Sequence, residues 1–203
     1  MKPIKLSLLS IVLISSFLFC QTANTSEISA SLGVETLEDF RTALSDLTTT
    51  LLTSTVPGGK ITFENGSRIS AYNVHYAIAV KDHWMVGATL AYQTLSRDWL
   101  VNDKVAGQDS STAYTIAVET DYRYISKPVF QMYSGAGLGL VSVKTDFTLG
   151  PNLMLKGENG QSSQYFTFQI TALGFRVGKQ LAGFAELGFG YKGIASAGLS
   201  YQF

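Results

Sequence analysis

One pattern limits this chain more than any other: a two-residue alternation of large apolar residues with small or polar ones, repeated along nearly everything after residue 26. It is cleanest over residues 113–124. There Tyr114, Ile116, Val118, Thr120, Tyr122 and Tyr124 share one parity, and Thr115, Ala117, Glu119, Asp121 and Arg123 the other. Successive side chains leave opposite faces of a strand, so a period of two predicts β structure and not helix. Residues 27–35, 70–80 and 84–95 repeat the pattern, with Ile28, Tyr72 and Trp84 on the large faces and Ser29, Asn73 and Thr89 opposite. Residues 129–143, 164–178 and 182–191 follow it with more noise, blurring near Arg176. The final segment, about 194–203, ends on Leu199, Tyr201 and Phe203 at alternate positions. The pattern predicts eight strands.

The connections sort these strands into an order. Three gaps are short, at 81–83, 126–128 and 179–180, whereas three are long and polar, at 36–69, 99–112 and 148–163; the last hairpin, through 191–193, is short. Long and short loops in alternation, with both termini on the short side, are the layout of a transmembrane barrel. Eight strands enclose a lumen that side chains fill. The small and polar residues are therefore expected inside. The bulky face is expected outside, with Trp84, Tyr72, Tyr92, Tyr114, Tyr122, Tyr124, Tyr191, Tyr201 and Phe203 forming aromatic girdles near the strand ends.

The amino terminus agrees with this placement. Met1–Lys5 is short and basic, the apolar run from Leu6 to Phe19 follows, and small polar residues come next, which is the order of a secretory signal peptide. Residues 1–23 are expected to be removed, with cleavage between 20 and 26, leaving 27–203 as one outer-membrane barrel domain. Phe19 before Cys20 argues against lipidation, and loss of Cys20 would leave no thiol for a disulfide, a metal or a nucleophile. The whole chain carries 15 basic and 15 acidic residues. Losing Lys2 and Lys5 makes it slightly acidic, so no nucleic-acid partner is expected.

Two local features stand apart. Leu37, Phe40, Leu44, Leu47 and Leu51 recur at spacings of three and four, predicting an amphipathic helix over 37–53 that could cover the barrel mouth, lie in the outer-leaflet interface or enter the lumen. Lys60–Glu64 with Asn65-Gly66 suggests a hairpin extending the second strand above the membrane.

The terminal Ser196-x-Gly198-x-x-Tyr201-x-Phe203 resembles the signal by which assembly machinery recognises the last strand of outer-membrane barrels. Residues 134–139 and 184–193 are similar to strands of small porin-family barrels of the OmpA-like or OmpX-like type. This resemblance covers about residues 27–203. It implies an all-β, eight-stranded antiparallel transmembrane barrel in the outer membrane of a Gram-negative-type bacterium. It also implies lipid and the barrel-assembly machinery as partners, a monomeric state, and no cell-wall-tethering domain.

Function is weakly encoded. The ionisable residues on the lumen parity are His75, Glu119, Asp121, Arg123 and Glu186, expected to form a polar network in which Arg123 pairs with Asp121 or Glu119. No catalytic constellation is expected, because the two histidines, His75 and His83, lie away from the outer leaflet and nucleophilic catalysis needs a base in reach. No metal set or phosphate loop is expected, and no cofactor. The expectation is a non-enzymatic barrel acting in envelope integrity or surface interaction through its loops. The alternatives are a narrow channel or carrier for small solutes and, behind it, a lipid-modifying enzyme.

Overall fold

A computed structural model of the protein describes residues 25–54, 61–101, 104–149 and 161–203; the expected signal peptide lies outside them. Eight antiparallel strands form one closed barrel in sequence order. They are β1 (Ser26–Val34), β2 (Ile61–Lys81), β3 (Trp84–Val101), β4 (Lys104–Ser126), β5 (Phe130–Leu149), β6 (Gln161–Gly178), β7 (Leu181–Gly190) and β8 (Ala195–Gln202), with one helix, α1 (Leu37–Ser54), between β1 and β2. The seam closes where β1 pairs with β8, Glu27 opposite Gln202. Ser26 and Phe203 exchange both backbone hydrogen bonds there at 2.9 Å, so the last residue of the chain takes part in sealing the sheet.

The alternation sorts the faces as expected. Ala113, Thr115, Ala117, Glu119, Asp121 and Arg123 of β4 are buried, whereas Tyr114, Ile116, Val118, Tyr122 and Tyr124 are exposed. The outward apolar belt is bounded above by the paired row Tyr72–Tyr92–Tyr114 and below by the pair Trp84–Tyr122. These rows stand eight residues apart on β3 and β4. That is roughly 26 Å along a strand and about 20 Å in height after the usual tilt.

Strand length is uneven. β1, β7 and β8 have 9, 10 and 8 residues, about what one crossing of a membrane needs, whereas β2 to β6 run for 18 to 23. The long strands therefore continue above the belt as a one-sided wall, whose outward residues on β3 and β4 (Thr94, Ser96, Thr112 and Ser110) are polar. Two loop expectations are corrected by this wall. Most of 99–112 is ladder, with Val101 paired to Lys104, and β2 runs through Asn65 with irregular register where a hairpin turn was expected. A ladder saturates the backbone groups that a polar loop would leave to water.

Helix α1 forms where its periodicity places it. Thr36 caps it: Asp39 N donates to Thr36 Oγ1 at 3.3 Å, and Thr36 N donates to Asp39 Oδ2 at 2.7 Å, a reciprocal box at the helix start. The helix rises beside upper β2, from the end of β1 to the level of Ile61, whose N–H donates to Thr53 Oγ1 at 3.1 Å. It fills the side of the wall that the short strands leave open. Its polar face looks inward. Phe40, Leu44, Leu47 and Leu51 are each more than half exposed, and Phe40 meets Phe189 of β7 edge-on at 6.1 Å.

Candidate functional site

Two polar clusters fill the barrel interior. In the lower one, Glu27 of β1 serves both arginines: Arg123 Nη2 lies 3.1 Å and Arg176 Nε 3.3 Å from its Oε2, and Gln202 Nε2 donates to the same oxygen at 2.6 Å. Arg123 also donates to Gln131, and Arg176 Nε to Ser200 at 2.8 Å. Both arginines are about 1 % exposed. A charge so placed persists only when paired and bonded. The expected pairing of Arg123 with Asp121 or Glu119 is thus corrected. The acid it faces is Glu27, brought across the barrel by seam closure, a neighbour no local reading of β4 contains.

The middle cluster links His75, Glu119 and Glu186 through Thr89 and Lys192. His75 Nδ1 lies 2.8 Å from Thr89 Oγ1, and Thr89 donates to Glu119. Tyr191 OH donates to Glu119 at 2.5 Å. Lys192 Nζ donates to Glu119 Oε2 at 2.6 Å and to Glu186 Oε2 at 3.3 Å. Tyr133 OH and Ser196 Oγ complete the shell of Glu186 at 2.9 and 3.2 Å. Asp121 is buried one step below, opposite Gly135. Of the five expected lumen residues, all are inside; the network draws on both clusters.

Sequence reasoning missed Glu27, Lys192, Arg176 and Tyr191. Tyr191, expected in the outer girdle, is 4 % exposed and points inward. The cause is the β7–β8 turn, which folds over the lumen: Gly190 has φ +148° and Gly193 φ +103°, so strand parity no longer applies between them. Arg176 was obscured by a bulge in β6. Thr171 to Gly174 faces only Gly135 to Tyr133, and the extra residue moves the inward parity from Thr171 to Gly174 and Arg176. The assembly-signal residues divide by face: Ser196 bonds within the lumen, Gly198 packs against the Ala30 carbonyl, and Tyr201 and Phe203 stack at 5.9 Å.

Above the clusters, Thr36, Asp39 and Gln93 form a polar floor: Gln93 Nε2 donates to Asp39 Oδ2 at 2.9 Å, and the Thr36 hydroxyl lies 2.8 Å from Gln93 Oε1. Over this floor the helix and the inner faces of β3 to β6 enclose a cavity of about 290 Å3. Arg97 there is held by Asp109, with Nε 2.7 Å from Oδ2, and by Asp46 of the helix. Tyr165 OH donates to Glu38, and the Arg41 guanidinium sits 3.9 Å over the Tyr165 ring. Groups of three or more His, Cys, Asp or Glu suited to a metal are absent among the described residues.

No family model matches this chain, and no curated protein matches it. Several solved structures are similar to it, among them the three that follow. The N-terminal β-barrel domain of Pseudomonas aeruginosa OprF has 16 % identity and a TM-score of 0.43 over 90 % of this chain and 100 % of that one. Ail, the attachment invasion locus protein of Yersinia pestis, has 11 % identity and 0.43 over 89 % and 99 %. The outer membrane protein OprG of P. aeruginosa has 13 % identity and 0.44 over 90 % and 97 %.

Proposed function

We propose that the chain is an outer-membrane barrel that crosses the lipid with its lower belt and works at the cell surface through the walled cup above it, without chemistry of its own. A closed barrel satisfies every backbone group within its ladders, which is what a lipid environment demands, and the outward belt between aromatic rows suits that environment. The observation that carries the surface role is the filled lumen. Arg123, Arg176, Glu119, Lys192 and Gln131 interlock across its section, all nearly inaccessible, so the upper cup is where a soluble molecule meets the protein. His75 lies within that filled section, away from any substrate. The chain would act as a monomer and reach its place through export and the barrel-assembly machinery.

Planar-bilayer recording with the purified chain tests this. The expected record is flat, without steady single-channel steps. Reproducible unitary steps would refute the filled-lumen reading and favour a narrow channel.

A further inference from the structure

The cup is built like a site for a neutral sugar. Its volume of about 290 Å3 is at the small end of the range for small-molecule sites. Hydroxyls line it from several elements: Ser45 of α1, Ser111 of β4, Thr145 of β5 and Ser163 and Tyr165 of β6. Leu95, Ala113 and Val143 add apolar patches between them. Polar edges with small apolar faces match a sugar ring, which presents hydroxyls around its rim and C–H groups on its faces.

Charges of both signs are interleaved in the wall. Arg97 lies between Asp109 and Asp46, and Arg41 packs over the ring of Tyr165, whose hydroxyl donates to Glu38. A charged ligand of either sign would meet its own sign among Glu38, Arg41 and Arg97. One acceptor is open: Glu38 Oε1 is buried and has no hydrogen-bond partner among the described residues, although its other oxygen takes the Tyr165 hydroxyl. A buried carboxylate oxygen without a donor is costly, and a ligand hydroxyl reaching into the cup would supply one. The geometry points to a neutral saccharide, one or two rings in size, bound between α1 and the β3–β6 wall with a hydroxyl on Glu38. This inference rests on the reading that the cup faces the cell exterior. The sugar could belong to the cell's own envelope glycolipid or arrive as a soluble saccharide; the chemistry is shared.

The test uses the purified full chain in detergent, titrated calorimetrically with glucose, galactose, lactose and the core oligosaccharide released from the envelope glycolipid. Saturable binding with a dissociation constant on the order of 1 mM or tighter is expected for at least one. Binding by the core oligosaccharide alone identifies the glycolipid as the source, and binding by free sugars alone identifies soluble ones. Glu38→Gln and Ala113→Phe, which respectively weaken the acceptor and fill the cavity, should each lower affinity about tenfold or more. Ser111→Ala removes only a hydroxyl and serves as the variant least able to disturb folding, which a heat-shifted gel band verifies. In parallel, Ser45→Cys on intact cells is exposed to a membrane-impermeant maleimide. Labelling without saturable binding, or binding indifferent to all three substitutions, overturns the saccharide site. Absence of labelling overturns the surface-facing reading beneath it.

Discussion

Replacing Lys192 with Met should cost this protein more than any change on its outer surface. Lys192 Nζ sits 2.6 Å from Glu119 Oε2 and 3.3 Å from Glu186 Oε2, at 5 % exposure, and it is the cation that holds these two acids together. At an effective dielectric near 20 the two contacts amount to roughly 6 and 5 kcal/mol of gross attraction, most of it offset by the desolvation of all three charges. Removing one partner leaves that desolvation unanswered, so the net loss expected is about 3–5 kcal/mol. Met keeps the length of the side-chain stem, which confines the change to the charge. The assay is guanidinium unfolding and refolding in lipid vesicles, followed by the heat-shifted gel band. Lys192→Met combined with Glu119→Gln and Glu186→Gln should recover most of the loss, since the uncompensated charges are gone. The reasoning fails if the single variant unfolds within about 1 kcal/mol of the natural chain. It fails equally if the triple variant is no more stable than the single one.

Two further outcomes follow from backbone contacts. A Cβ on Gly33 would lie 1.7 Å from the Lys192 carbonyl oxygen, so Gly33→Val should push the β7–β8 turn off the lumen and lower stability by about 1–3 kcal/mol; an unchanged unfolding midpoint would contradict this. Phe203→Asp places a charge on the exposed residue that closes the seam with Ser26, and it should reduce the yield of assembled barrel in cells several-fold by band-shift quantification. Normal yield would dismiss the terminal aromatic as an assembly determinant.

Much of this architecture was legible because a barrel writes its faces into parity. The alternation Tyr114-x-Ile116-x-Val118 in β4 places Glu119 and Arg123 inward without any tertiary knowledge. Parity is local, however, and it lost its hold in two places. One residue inserted in β6 exchanged the faces above Arg176, and two positive-φ glycines turned Tyr191 and Lys192 inward from what reads as an exposed tight turn. Partner choice was less legible still. Arg123 meets Glu27 because β1 and β8 meet at the seam, a contact between residues 96 apart in the chain. The helix was legible as a helix. Its orientation was not, because the amphipathic pattern alone does not say whether the apolar face seeks a core or an exterior.

That orientation has a consequence for how the cup behaves. The upper halves of β2 and β6 have no strand neighbour on the side of the short strands, and unpaired strand edges invite pairing with other chains. Helix α1 covers this opening, and the side-chain contacts that fasten its inner face are polar: Asp39 on Gln93, Asp46 on Arg97, Glu38 and Arg41 on Tyr165. The leucines that would anchor a helix to a soluble core point away. A helix held by a few hydrogen bonds and partly exposed ion pairs gains little from each, whereas the barrel beneath it closes eight ladders. Local opening should therefore begin at α1, well below the free energy that unfolds the barrel. The contacts that fasten the helix are also the walls of the cup. A molecule bound between Glu38, Ser45 and the β4–β6 hydroxyls would tie the helix to the wall, so occupancy and helix closure must strengthen each other by the same factor.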